Sequence, residues 1–261
     1  MTITKTPVRG TELAYDLRGS GEPAVQLHGL TSSRRRDETL GLDLTAGAAG
    51  LRVLRYDARG HGLSGAGGGA AAYTWPELAA DLLALLDDVF PGRPVHGAGQ
   101  SMGAATLLHA ALADPGRFAS LALVIPPTAW GWRVAQAAAY LGSAEVVERE
   151  GGAALAAATR GQPLPPAVDP DRPFTVPDVP DAVLPTVFRG AAATDLPDER
   201  ELGRIGVPVL VRAWTGDAAH PVGVAERLAE LIPGAGLAVA STPAEVASWP
   251  GQIARAALGP R

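Results

Sequence analysis

The sequence predicts an α/β protein: a mostly parallel, doubly wound sheet of eight strands flanked by helices and carrying a helical, proline-rich insertion. Three observations predict it. Short apolar runs alternate with amphipathic helical stretches, which builds βα units with right-handed crossovers. One apolar run passes through Gly99-Gln100-Ser101-Met102-Gly103 straight into an alanine-rich helix. The alternation stops at Pro126-Pro127 and resumes at Val207, and the eight prolines from Pro163 to Pro185 cannot sit in a central sheet. The expected division is a core of residues 1–125 and 207–261 and a lid of residues 126–206, inserted at the sheet edge where ligands bind.

Composition narrows the class. With 261 residues, 47% of them hydrophobic, the chain can bury about three quarters of its unfolded surface. Glycine and proline make up about a fifth of it, short of the ~25–30% that marks disordered chains. A net charge of −5 argues against nucleic acid or an anionic membrane as partner. The absence of cysteine excludes disulfides, thiolate nucleophiles and cysteine-bound metals. No apolar run reaches the ~18 residues of a membrane span, and residues 1–7 lack the apolar centre of a signal peptide. The expectation is a cytoplasmic protein with no metal and no cofactor, acting on a small apolar organic molecule; oligomeric state is not legible.

In chain order, residues around Leu13, Tyr15 and Leu17 alternate and then turn at Gly19-Ser20-Gly21, which reads as a hairpin at a sheet edge. Ala24 to Leu27 is a short strand running into His28-Gly29-Leu30, an ending that suits close approach of backbone to a ligand. The Arg34-Arg35-Arg36 run reads most simply as a solvated face, with contact to substrate as the alternative. A strand over residues 52–56 feeds a glycine-punctuated loop through Ser64. Thr74 and Glu77 are expected to form a capping box, with Pro76 in the first turn, for a helix whose Leu78, Leu82, Leu85, Leu86 and Val89 share one stripe. Beyond Ser101, Ala104, Leu107, Leu108 and Ala111 recur at helical spacing, and Leu121 to Ile125 is a continuous apolar strand covered on both faces. Within the insertion, Trp130, Trp132 and Tyr140 read as lid packing or as walls of an apolar pocket. A strand ending near Arg212 leads to Trp214-Thr215-Gly216-Asp217-Ala218-Ala219-His220-Pro221, and Pro221 opens a helix to Ile232. A strand over residues 237–240 and a helix over residues 244–258 close the chain.

The strand, Gly-x-Ser-x-Gly and helix together form a nucleophile elbow. A sharp turn strains the backbone at its apex, Ser101, and Gly99 and Gly103 remove side chains that would collide there. The turn also sets Ser101 at a helix N-terminus, where free N–H groups favour a developing oxyanion.

Taken together, His28-Gly29, the loop Arg55 to Ser64, the elbow and Asp217 with Pro221 four residues on resemble the α/β-hydrolase family in order and spacing over essentially the whole chain. The resemblance implies Ser101 as nucleophile, Asp217 as triad acid, and Leu30 and Met102 as oxyanion-hole N–H donors. His28, Trp130, Trp132 and Trp214 are then expected around the substrate. The chain departs from the family at its base, because Ser241 to Trp249, the segment after the last strand, holds no histidine. His96 and His109 lie roughly 15 and 12 Å from Ser101 along strand and helix, and read as structural. His28 and His61 lie in loops with backbone tasks. His220 shares the loop of Asp217 and keeps the order Ser, Asp, His, which makes it the candidate base. Its separation of only three residues from Asp217 favours a residue of no catalytic role. The readings open at this point are an ester, thioester or lactone hydrolase with a nonstandard or impaired base, a lyase or cyclase using the oxyanion hole without acylation, and a degenerate binding protein.

Overall fold

The computed structural model describes residues 2–44 and 49–259, so the outermost bounds expected for the core, residues 1 and 261, lie outside the described residues. Eight strands form one sheet: β1 (Thr4–Val8), β2 (Thr11–Gly19), β3 (Gly21–Leu27), β4 (Gly50–Tyr56), β5 (Val95–Gln100), β6 (Phe118–Val124), β7 (Val209–Trp214) and β8 (Gly236–Ala240), in the order β1-β2-β4-β3-β5-β6-β7-β8. β1 and β2 run antiparallel to their neighbours; from β3 to β8 every pairing is parallel. The Gly19-Ser20-Gly21 turn does not close a hairpin. It carries the chain from β2 past β4, which pairs with both β2 and β3, and the hairpin turn is at Arg9-Gly10 instead.

The period-two alternation of side chains splits each central strand between two core layers. Val25, Leu121, Leu123, Val209 and Val211 face a layer completed by Leu82 and Leu85 of α2 (Trp75–Val89) and Leu107 and Leu108 of α3 (Met102–Ala113). Ala98, Ala122 and Val124 face the other, under Trp249 and Ile253 of α10 (Trp249–Leu258). Both faces are therefore covered, which is why these strands are apolar throughout. The helix at α2 starts without the expected capping box: Thr74 Oγ1 donates to the Ala71 carbonyl of a preceding 3₁₀ turn rather than accepting from Glu77. The capping box of this chain is at Thr242 and Glu245, opening α9 (Pro243–Ala247).

Short α1 (Arg34–Thr39) follows β3, and α8 (Val222–Leu231) lies between β7 and β8. The Arg34-Arg35-Arg36 run is not a uniform solvated face. Arg34 is buried between Asp16 and Asp57, Arg35 is exposed, and Arg36 is half-buried. Between β6 and β7 come α4 (Arg133–Glu150), α5 (Gly152–Ala158), α6 (Leu184–Ala192) and α7 (Glu199–Leu202). Ala144, Val147, Leu184, Val187 and Phe188 make a small core of their own with Tyr73, whereas Leu196, Leu202 and Ile205 pack into the main core.

Candidate active site

Ser101 stands between β5 and α3 with φ 52° and ψ −114°, a left-handed backbone that a serine adopts only when its surroundings impose it. A Cβ on Gly99 would lie 2.5 Å from the Gly103 carbonyl carbon, and one on Gly103 would lie 2.6 Å from the Leu27 carbonyl oxygen. These two glycines let the start of α3 press against β5 and β3. Val124 of the neighbouring strand accepts the Ser101 N–H at 3.0 Å and fixes the turn.

Parallel pairing brings the other half of the site level with the serine. Gln100 is in register with Val124 and Val124 with Arg212, so the loop after β7 opens at the same sheet edge as Ser101. In that loop the His220 N–H donates to the Asp217 carbonyl at 3.2 Å, closing a tight turn that folds the imidazole back over the carboxylate. His220 Nδ1 lies 2.8 Å from Asp217 Oδ2, and His220 Nε2 lies 2.9 Å from Ser101 Oγ. Three residues of separation are thus enough, because a turn brings the two side chains to the same side.

Asp217 is firmly held. Burial pushes its carboxyl up, but hydrogen bonds and charge from His220 outweigh that, assisted by Trp214 Nε1 at 2.8 Å and the Ala219 N–H at 3.0 Å, and leave it at about 2. A carboxylate that stays ionised orders its partner: the imidazole carries its proton on Nδ1 and presents Nε2 as an acceptor toward Ser101. Trp214 packs edge-on to His220 and stacks on Trp249, with ring centroids 6.5 and 6.1 Å away. The segment after β8 that holds no histidine therefore supports the site through an aromatic stack.

Ser101, Asp217, His220, Leu30 and Trp214 line one cavity of about 520 Å³. Met102 is buried as the first residue of α3, where an N–H has no acceptor within its own helix. His28, Trp130 and Trp132 are not brought to this cavity. His28 is buried, with Nε2 accepting from the Ala58 N–H and Nδ1 beside the Gly29 carbonyl, so it ties two loops together. Trp130 anchors the insertion by donating from Nε1 to the Pro197 carbonyl, and Trp132 is 47% exposed and rests against Gly223. The insertion reaches the cavity through residues 159–165 and 172–175 instead. Proline-rich and aperiodic, those residues carry no amphipathic signal in the sequence.

Three further features shape the cavity, and one of them, Arg36, belongs to the Arg34-Arg35-Arg36 run for which contact with substrate is the alternative reading. Asp37 of α1 accepts from Ser32 Oγ at 2.6 Å and from Gln100 Nε2 at 2.5 Å, yet burial dominates and pushes its carboxyl up to about 7. Gln100, which precedes the serine, keeps Oε1 buried without a hydrogen-bond partner. Arg36, Arg160 and Arg172 also line the cavity, so its walls are not simply apolar. Of the remaining histidines, His61 is buried and driven down to about 3, His96 bonds Ser120 Oγ and His109 bonds the Asp195 carbonyl, all away from Ser101. Among the described residues no cluster of His, Asp or Glu could hold a metal ion, and no helix is long and apolar enough to cross a membrane.

Comparison with known proteins agrees with this architecture. Residues 23–149 match the family described as serine aminopeptidase, S33. A hydrolase from Pseudomonas aeruginosa PA01 superposes with a TM-score of 0.80 at 27% identity, covering 99% of this chain and 98% of that one. The crystal structure of the enol-lactonase from Burkholderia xenovorans LB400 gives 0.78 at 25% identity over 96% and 98%. The chain has the α/β-hydrolase fold. Among curated proteins, the sn-1-specific diacylglycerol lipase ABHD11 of Danio rerio is 32% identical over 121 residues, 46% of this chain. The match spans 37% of that lipase's own length. Within the α/β-hydrolase fold, this chain's histidine beside the serine comes from the loop after β7.

Proposed function

We propose that the protein is a serine hydrolase of ester bonds, acting on an ester, thioester or lactone of a small molecule, with Ser101 as nucleophile, His220 as general base and Asp217 as its orienting acid. The observation that carries this reading is the unbroken chain of short contacts from Asp217 through His220 to Ser101 Oγ. The lactonase and lipase among the similar proteins favour the same bond type.

The chemistry follows from the geometry. Ser101 Oγ attacks the substrate carbonyl carbon while its proton passes to His220 Nε2, and the carbonyl electron pair moves onto oxygen. Met102 N–H, at the positive end of α3, and Leu30 N–H are the donors for that oxyanion. His220 then gives its proton to the leaving alcohol or thiol as the carbon–oxygen or carbon–sulfur bond breaks, leaving acyl-Ser101. Water, deprotonated by the same imidazole, attacks the acyl group, and the returning proton frees Ser101 and the acid product. Throughout, Asp217 remains ionised and stabilises the imidazolium. A cavity of about 520 Å³ lies in the range of small-molecule sites, ~300–1,000 Å³. The insertion serves as its lid through residues 159–175. The fold and the opening of α3 tolerate glycine at the apex, where φ is already positive. In the test, Ser101→Gly keeps the parent's circular dichroism and melting temperature but loses 4-nitrophenyl ester hydrolysis to background. Hydrolysis retained at the parent rate would contradict the reading.

A further inference from the structure

Three arginines line the cavity: Arg160 is exposed, with its guanidinium over the Phe174 ring, whereas Arg36 and Arg172 are half-buried. Arg36 enters it from α1 and Arg172 from the insertion, and the Arg36 Nε–H donates to Thr175 Oγ1 at 2.8 Å. Among the described residues neither guanidinium makes an ion pair. The carboxyl groups whose charge reaches these arginines make their hydrogen bonds and ion pairs with other residues: Asp37 with Ser32 and Gln100, Asp178 with Ser33 and Arg35, and Asp217 with His220, Trp214 and Ala219. Other buried or half-buried arginines are given several acceptors: Arg133 and Arg212 have carbonyl, hydroxyl and amide oxygens, and others have carboxylates. Arg34 and Arg55 share Asp16, Arg59 meets Asp81, and Arg227 forks onto Glu199.

Burial, helped by the like charge of Arg172, weakens the hold of Arg36 on its proton and outweighs the opposing charges of Asp37 and Asp178; for Arg172 burial likewise outweighs the charge of Asp217. Leaving two such cations half-buried and facing one cavity costs free energy, which an anion delivered between them would recover. The fork of a guanidinium matches a carboxylate in two parallel hydrogen bonds, which a neutral alkyl ester cannot supply.

Given Ser101 hydrolysis, on which this rests, we propose that Arg36 and Arg172 bind a free carboxylate on the substrate, so that the preferred class is a small acidic ester or lactone rather than a neutral apolar one. The acyl chain then lies across the cavity with its ester carbonyl at Ser101 and its carboxylate at the arginine pair. Neither arginine touches the reacting bond. Both position and select.

The test compares 4-nitrophenyl hydrogen adipate with 4-nitrophenyl hexanoate, acyl groups of equal length that differ in the terminal carboxylate. The parent's kcat/KM is expected to favour the adipate ester by about tenfold or more, and Arg172→Met, which keeps an apolar stem, to lower that preference by roughly 10–100-fold, chiefly through KM. Arg172→Lys should restore part of it, and added salt should erode the parent's preference. Binding of adipate itself to Ser101→Gly, followed by calorimetry with and without Arg172→Met, reads the site without any turnover. Adipate binding that depends on Arg172 in a protein that hydrolyses neither ester would sustain the anion site and sink the hydrolase reading alone. A parent that prefers the hexanoate ester, or a preference and an adipate affinity unmoved by Arg172→Met, overturns the proposal.

Discussion

Asp37 sits where charge is most expensive, buried beside Gln100 at the base of the cavity, and its carboxyl is pushed up to about 7. An unfolded aspartate titrates near ~3.9. Between those values the folded chain holds a proton that the unfolded chain has released, so the stability this group contributes is complete below about pH 4 and is lost as pH rises through 7. Asp37→Asn cannot ionise, and its amide would meet a Gln100 side chain whose Oε1 is free to accept once the amide turns over. Urea midpoints should show the variant gaining on the parent by on the order of 1–3 kcal/mol between pH 5 and pH 8.5. A constant offset across that range would mean that Asp37 is ionised throughout.

At the scale of elements, the strand, turn and helix around Ser101 depend on two absent side chains. A Cβ at Gly103 would meet the Leu27 carbonyl oxygen at 2.6 Å and Leu27 Cβ at 2.7 Å, and Leu27 is pinned in β3 by its pairing with Gly99. Gly103→Ala should therefore destabilise the fold by about 1–3 kcal/mol and displace the serine. Gly142, exposed in α4 with nothing within 4 Å of where a Cβ would stand, is the control: its change to Ala should stabilise by about 0.5–1 kcal/mol. Thermal melts of the two variants moving in the same direction would contradict this. The elbow was legible in the sequence because its demand falls on adjacent residues. Strand order was not, since the insertion of β4 between β2 and β3 is a long-range pairing that leaves no mark on the turn at residues 19–21. Thr74 misled for a local reason: residues 70–73 form a 3₁₀ turn that offers its hydroxyl a nearer acceptor.

Across the whole molecule, the site gathers Ser101 from β5, Asp217 and His220 from the loop after β7, and walls from an insertion between them. The serine and the acid were readable as motifs. His220 was visible as a candidate, but its three-residue spacing argued against it, and only the turn from Asp217 places both side chains on one contact path. Trp130 and Trp132 suggested walls because aromatics favour pockets, yet one anchors the insertion and the other faces outward. Among the walls, Arg36 lies in the arginine run for which substrate contact is the alternative reading of the sequence, whereas Arg172 comes from a segment whose place only the folded chain reveals. The contact of His220 with Ser101 makes a direct demand on reactivity. With a fluorophosphonate probe and peptide mass spectrometry, the parent should carry one label per chain, on Ser101. His220→Ala should fold normally and slow that labelling by about 10³-fold or more, as expected when a triad loses its base. Labelling at an unchanged rate, or on a different serine, would contradict the assignment of His220 as the base for Ser101.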